Sequence, residues 1–317
     1  MKKLFYILKP IIPRSVQIFL RRKLAERQKE KYKDVWPILE KAGEKPEGWS
    51  GWANNKKFAV VLTHDVENQA GHDKCVKLME LEKKLGFCSS FNFVPERYNV
   101  SESVRNELIS NGFEVGVHGL NHDGKLFSNE NVFSERAIKI NRYIKEWNSV
   151  GFRAPAMHHN LKWIHQLDIE YDLSTFDTDP FEPQSDGVGT IFPFIAEDEK
   201  KQNSYVELPY TLVQDFTLFI LMQERDIKVW KNKIDWIAKK GGMVLVNVHP
   251  DYINFNNENT AEEFPVYLYM NLLEYIEDKY SGIYWHSLPK DVAKFISNQT
   301  TTVTVQSKKL IDIVNEK

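Results

Sequence analysis

The chain has 317 residues and two cysteines, Cys75 and Cys88. Two thiols build neither a disulfide framework nor a zinc pattern. They read as reduced core residues of an intracellular protein. Long apolar runs are also missing. The opening "MKKLFYILKPIIPRSVQIFL" is interrupted by Lys9, Pro10, Pro13 and Arg14. It falls short of the roughly 20 apolar residues a membrane span needs. No small-residue cleavage site follows it, so it is not read as a signal peptide. Nor is there an excess charge of one sign, since the net charge of −2 gives no general case for a nucleic-acid partner. Internal repeats and low-complexity segments are absent as well, which excludes a repeat architecture.

What is present fits a soluble protein with a large core: 42% of residues are hydrophobic and 27% charged. The length suits a single α/β barrel. Charge is unevenly placed. Residues 1–34 hold eleven basic residues against Glu26, Glu30 and Asp34, leaving the remainder acidic. Basic residues interleaved with Leu, Ile and Phe can lie on an anionic membrane surface, which suggests a cytoplasmic protein peripheral to the inner face of the membrane. The rival reading buries Ile11, Ile12, Phe19 and Leu20 against the body of the protein. The expected division is an arm over 1–50 with one or two short helices, a barrel domain over 51–300 and a polar tail over 301–317.

Along the domain, "KFAVVLT" (57–63) is a continuous apolar run, as expected of a strand buried on both faces. Further strands are expected at "CSSFNFV", "FEVGVHG", "GFRAPA", "YDLST", "TIFPF", "YVELPYT" and "GGMVLVNVH". Helical patterns fall between them, near 70–86, 101–111, 130–147, 160–167, 215–224 and 226–240, with two more near 262–280 and 289–297. Strands alternating with helices imply a mainly parallel sheet, closed as a barrel or doubly wound. In either form ligands collect at the carboxyl ends of the strands.

Those ends carry chemistry. The first strand finishes "THDVEN", with Asp65 and Glu67 pointing the same way. The third finishes at His118, and His122 follows four residues later. On a turn such a pair comes within about 6 Å, and Gly119 lets the backbone break there. Two imidazoles at a strand end suit one metal ion, although hydrogen-bonded surface histidines leave the same pattern. The fourth strand carries Arg153, and the last finishes with His249, Pro250 and Asp251. Two carboxylates, three histidines and an arginine therefore converge on one face.

"LTHDVE", "HGLNHDGKLF", "GFRAP" and "VNVHPDY", in that order, resemble the polysaccharide deacetylases of the NodB-homology group over about residues 56–290. The resemblance implies a distorted (β/α)7 barrel, here with an N-terminal helical arm, and N-deacetylation of an N-acetylated sugar or glycan. It also implies a bacterial protein associated with surface-polysaccharide biosynthesis. Asp65 matches the family's catalytic base and Arg153 the arginine that orients it. His249 matches the general acid. His118 and His122 match the metal-binding histidines, and Glu67 stands for the metal-binding aspartate. Asp172 is a weaker match to a secondary aspartate. Three positions depart from the family. The second carboxylate is Glu and sits one place later, Gly119 replaces Ser or Thr, and Ala156 replaces an aromatic residue while leaving its backbone N–H for an oxyanion.

Two imidazoles and a carboxylate with open positions suit Zn²⁺ or a similar divalent ion. Asp65 would take a water proton, His249 would protonate the departing amine, and Arg153 would keep Asp65 ionised. Two other readings use the same residues: a metal-dependent amidase acting on a small non-sugar substrate, or a catalytically silent carbohydrate-binding protein. His158 and His159 are expected at a loop rim. Asp177, Asp179, Glu182 and Asp186 are expected in a solvated acidic loop. Asp251 either orients His249 or serves as a turn residue.

Overall fold

The computed structural model describes residues 13–198, 203–256 and 260–299. The tail 301–317 and the arm residues Ile11 and Ile12 lie outside them. The apolar run at 57–63 becomes β1 (Phe58–Val66), nine consecutive buried residues. Around it stand β2 (Ser90–Phe93), β3 (Glu114–His118), β4 (Gly151–Arg153), β5 (Tyr171–Asp172), β6 (Phe194–Glu197), β7 (Ser204–Glu207) and β8 (Met243–Asn247). Their order is β8-β1-β2-β3-β4-β5-β7-β6, parallel throughout except for β6, which runs antiparallel to β7. The sheet curls until the chain after β7 meets β8. There the N–H groups of Thr211 and Leu212 donate to the Leu245 carbonyl, and the Leu245 N–H donates to Thr211 Oγ1 at 3.0 Å. The result is the distorted (β/α) barrel. β9 (Ile253–Asn254) and β10 (Phe264–Pro265) form a separate pair, and β11 (Tyr284–His286) lies beside the start of β1.

The helices are α1 (Arg14–Lys31), α2 (Gln69–His72), α3 (Cys75–Lys84), α4 (Glu102–Ser110), α5 (Glu130–Glu146), α6 (Leu161–Ile164), α7 (Lys228–Lys240), α8 (Val266–Tyr280) and α9 (Pro289–Ser297). In α5 the apolar spacing produces the packing: Phe133, Ala137, Ile140 and Ile144 are buried, and the Asn129 side chain caps the Val132 N–H. Gly241, at φ 82°, ends α7 in the left-handed conformation that glycine tolerates.

Three expected elements differ. The helix over 70–86 is two, broken after His72, whose Nε2 accepts the Ser101 N–H. The "TIFPF" strand starts only at Phe194, because Ile191 instead donates its N–H to Ala42 and accepts that of Met243. The helix at 215–224 is a single π-type turn, Phe216–Leu221.

Candidate metal centre and active site

The site is built at the carboxyl ends of β1, β3, β4 and β8, where the sequence places it. Asp65 ends β1 and is 2% exposed. Its Oδ1 accepts from Arg153 Nη1 and Asn92 Nδ2, both at 3.1 Å, and its Oδ2 accepts from Asn247 Nδ2 at 2.8 Å. Burial opposes the charge, but the Arg153 guanidinium, His118, His249 and the Asn247 amide outweigh it and hold the carboxyl well below the usual range. Arg153 is itself fully buried. Its Nε donates to the Leu173 carbonyl, Nη1 also lies within hydrogen-bond reach of Thr63 Oγ1 and Asn247 Oδ1, and Nη2 is buried without a partner. These contacts hold the guanidinium rigidly against Asp65.

Glu67, His118 and His122 each offer a ligand atom, and these atoms lie within 4.8 Å of one another. His118 Nδ1 donates to the Arg153 carbonyl at 3.1 Å, because a carbonyl can only accept. That fixes the tautomer and leaves the Nε2 lone pair facing the site. Burial first, with His122 and Arg153 adding to it, lowers His118 to about 4, so the ring is neutral at physiological pH. His122 Nε2 is 3.0 Å from Glu67 Oε1, yet it is buried and its geometry makes no hydrogen bond. Ligands of one four-coordinate ion stand roughly 3.3 Å apart at zinc-like bond lengths. The donor set therefore fits a divalent cation. The other carboxylate oxygen of Glu67 accepts from Tyr252 OH at 2.9 Å.

The opposite side of the site belongs to His249. Its Nδ1 faces Asp215 Oδ1 at 2.6 Å, and its backbone N–H donates to Asp215 Oδ2 at 2.8 Å. Burial works against charging the ring. Asp215, with Glu67 and Asp65 behind it, nevertheless raises His249 to about 10. A cation held at Glu67 pulls that value down again, since like charges disfavour each other. His249 is thus poised as a proton donor.

Asp251 does not orient His249. Its carboxylate accepts the N–H groups of Glu67 and Asn68 at 3.0 and 2.9 Å, which fastens the loop carrying the Glu67 carboxylate. This close approach requires Gly71, where a Cβ would stand 2.2 Å from Asp251 Oδ2. Gly119, at φ 61°, is explained similarly: a Cβ there would lie 2.4 Å from the Pro155 ring. Ala156 holds φ 54° in the turn Pro155–Met157. Its N–H belongs to the first positions of that turn, which have no acceptor within it. Asp172 does not reach the site. It faces Glu207 across β5 and β7 and is held by Ser174 Oγ, with burial raising both carboxyls.

The acidic loop is solvated only in part, at the half-buried Glu182 and Asp186. Asp177 and Asp179 are buried, Asp177 paired with Lys233 at 2.5 Å. Tyr210 OH donates to Asp179 and Glu182, and Gln214 bridges Glu182 to Asn247, which holds Asp65. Burial, with Asp179 beside it, lifts Glu182 to about 8. His159 is also buried, with Nδ1 on the Met157 carbonyl, whereas His158 lines a hollow beside His122 with Phe127, Arg136 and Pro155. Sequence reading missed Asn92, Asn247, Asp215, Tyr252 and Arg21. The first two are the polar interruptions of "SFNF" and "LVNV", and that is the signal that marks them. Arg21, on α1, lies over the Phe216 ring at 4.6 Å and interacts electrostatically with Tyr252, Glu182 and Glu67, and the Phe216 ring meets that of Tyr252 at 4.8 Å, so the arm packs beside the Tyr252 side of the site.

No family model and no curated protein matches the chain. Solved structures do. A chain from Mycobacterium smegmatis described as a polysaccharide deacetylase matches at 15% identity and TM-score 0.65, covering 84% of this chain and 99% of its own. One from Pseudomonas aeruginosa PAO1, described in the same terms, matches at 12% identity and TM-score 0.60, covering 78% and 94%. Puue allantoinase matches at 12% identity and TM-score 0.60, covering 79% and 94%. The chain has the fold these structures share.

Proposed function

We propose that this protein is a metal-dependent hydrolase that removes N-acetyl groups from a glycan or glycan precursor. The carrying observation is the placement of Glu67, His118 and His122 as one ligand set beside an ionised Asp65, with Asp215-backed His249 on the other side. The similarity in fold to chains described as polysaccharide deacetylases supports it.

When bound, a divalent cation at that set polarises an acyl oxygen and lowers the pKa of water. Asp65 accepts a proton from the attacking water, and Arg153 and Asn247 keep the carboxylate fixed while it does so. In this reading the Ala156 N–H, which has no acceptor within its own turn, donates to the oxyanion as the acyl carbon becomes tetrahedral. His249 Nε2 then delivers its proton to the sugar nitrogen as the C–N bond breaks, and Asp215 holds the ring in the required tautomer. Water and amide become acetate and amine.

A second reading, an amidase acting on a small non-sugar substrate, is favoured by Arg21, which packs beside the Tyr252 side of the site, and by the allantoinase of the same fold. The complete base, acid and ligand set weighs against a silent binding protein. Acetate release from acetylated amino sugars, nucleotide sugars and glycans, with chelator and with added Zn²⁺, separates these readings. Chelator-sensitive acetate release supports the proposal. A metal-loaded protein that hydrolyses only non-sugar amides refutes it.

A further inference from the structure

Helix α1 has two working faces. At about 100° per residue, Arg14, Ile18, Arg21, Ala25 and Gln28 share one side. That side faces the barrel: Ile18 and Ala25 are buried, Gln28 Nε2 donates to the Pro180 carbonyl at 2.6 Å, and Arg21 sits on Phe216. Arg22, at its edge, donates to the Ile220 carbonyl at 2.8 Å. The outer side carries Val16, Phe19, Leu20 and Leu24, exposed by 44%, 57%, 48% and 56%. Those four belong to a group of only seven large hydrophobic residues exposed in the described structure. The others, Ile109, Ile138 and Tyr267, stand singly on α4, α5 and α8. The exposed apolar surface is therefore concentrated on one face of one helix. Lys23, Arg27 and Lys31 lie on that same face with Glu26 and Glu30 among them; Glu26 pairs with Lys23 and Glu30 with Lys33, whereas Arg27 and Lys31 have no carboxylate partner among the described residues.

We propose that the outer face of α1 docks on an anionic lipid surface. Three observations favour lipid over a protein partner. The apolar residues fall within the first three turns with basic residues interspersed and following, so apolar contact and attraction to anionic headgroups act along one helix. Lys and Arg stems can lie along apolar surface while their charges reach headgroups. The protein as a whole is slightly acidic, so the attraction is local to this segment and orients the molecule. No helix among the described residues is long and apolar enough to cross a membrane, so the contact is peripheral. The inner face of α1 rests on Phe216, whose ring meets that of Tyr252, the hydrogen-bond partner of Glu67, so docking brings this side of the site near the bilayer. Substrates displayed at that surface are then within reach.

The test is flotation of the full chain with vesicles of phosphatidylcholine alone and with 30% phosphatidylglycerol, at about 0.1 M and 1 M salt. Its readout involves no turnover, so its outcome does not depend on the deacetylase reading. Binding is expected to the anionic vesicles at low salt and to be lost at high salt. It should fall roughly tenfold or more in the triple variant Phe19→Glu, Leu20→Glu, Leu24→Glu, with an unchanged melting temperature. An intact triple variant that floats as well as the parent overturns the proposal. So does a parent that ignores vesicles but forms a dimer the triple variant splits, which assigns the face to a second copy of this chain.

Discussion

In the proposed reaction single side chains divide the chemistry so that base and metal ligand are different carboxylates, and that separation is testable. Asp65→Asn keeps one acceptor oxygen for the Arg153 and Asn92 donors, turns an NH2 toward Asn247 and cannot accept a proton. Turnover is expected to fall by about 10²–10⁴ with metal content unchanged, measured by acetate release and metal analysis on the same preparation. His118→Ala should instead lose the metal. If Asp65→Asn also arrives metal-free, Asp65 is itself a ligand. Asp215 makes a different prediction. Its negative charge stabilises the His249 imidazolium, so Asp215→Asn lowers the pKa of the ring. A general acid must be protonated to act, so the alkaline limb of the pH–kcat profile should move to lower pH. The acid limb, governed by Asp65, should stay where it is. An unmoved alkaline limb would show that His249 is not the group it reports.

At the scale of elements, the strand ends were legible because strand periodicity stops there and polar residues follow; "THDVE", "VHGLNH" and "NVHPD" each announce a site edge. The supports were less legible because they come from segments with no such pattern. Asp215 precedes a π-type turn, and Asp251 acts through a loop 183 or more residues away in sequence. The acidic loop looked solvated because four carboxylates in ten residues usually are; burial of Lys233 and the Tyr210 hydroxyl against it reversed that at Asp177 and Asp179. Gly119 shows what an element imposes on a residue. Gly119→Ser would introduce the residue type usual in the deacetylases that the sequence resembles, yet here it should harm the protein. The left-handed backbone costs about 1–2 kcal/mol for a side-chain-bearing residue, and the Pro155 ring blocks the Cβ. The expected outcome is a melting temperature lower by a few degrees and no tighter metal binding. A stabilised, tighter-binding variant would mean that Pro155 yields.

For the whole molecule, the question is how much of the arm the barrel needs. The arm has two parts that differ in what they bury. α1 contributes Ile18, Ala25 and the stem of Gln17, and it rests on the Phe216–Leu221 turn. Residues 35–42 go much deeper. Val35, Trp36, Leu39 and Ala42 are at most 5% exposed, and Trp36 meets the Phe181 ring edge-on at 4.9 Å. The segment is also tied by polar contacts. Thr178 Oγ1 donates to the Val35 carbonyl, buried Lys233 donates to the Pro37 carbonyl, and Trp236 Nε1 donates to Glu40 at 2.9 Å. Burying three large apolar side chains at about 1.5–3 kcal/mol each amounts to roughly 5–9 kcal/mol. That rivals the net stability of a typical domain, about 5–15 kcal/mol. A chain beginning at Tyr32 should therefore still melt cooperatively, at a lower temperature. A chain beginning at Gly51 should be unfolded or insoluble, because it also leaves the Lys233–Asp177 pair without its cover. Circular-dichroism melts of the two truncations decide the matter, and equal cooperative melts would make residues 35–42 dispensable to the barrel.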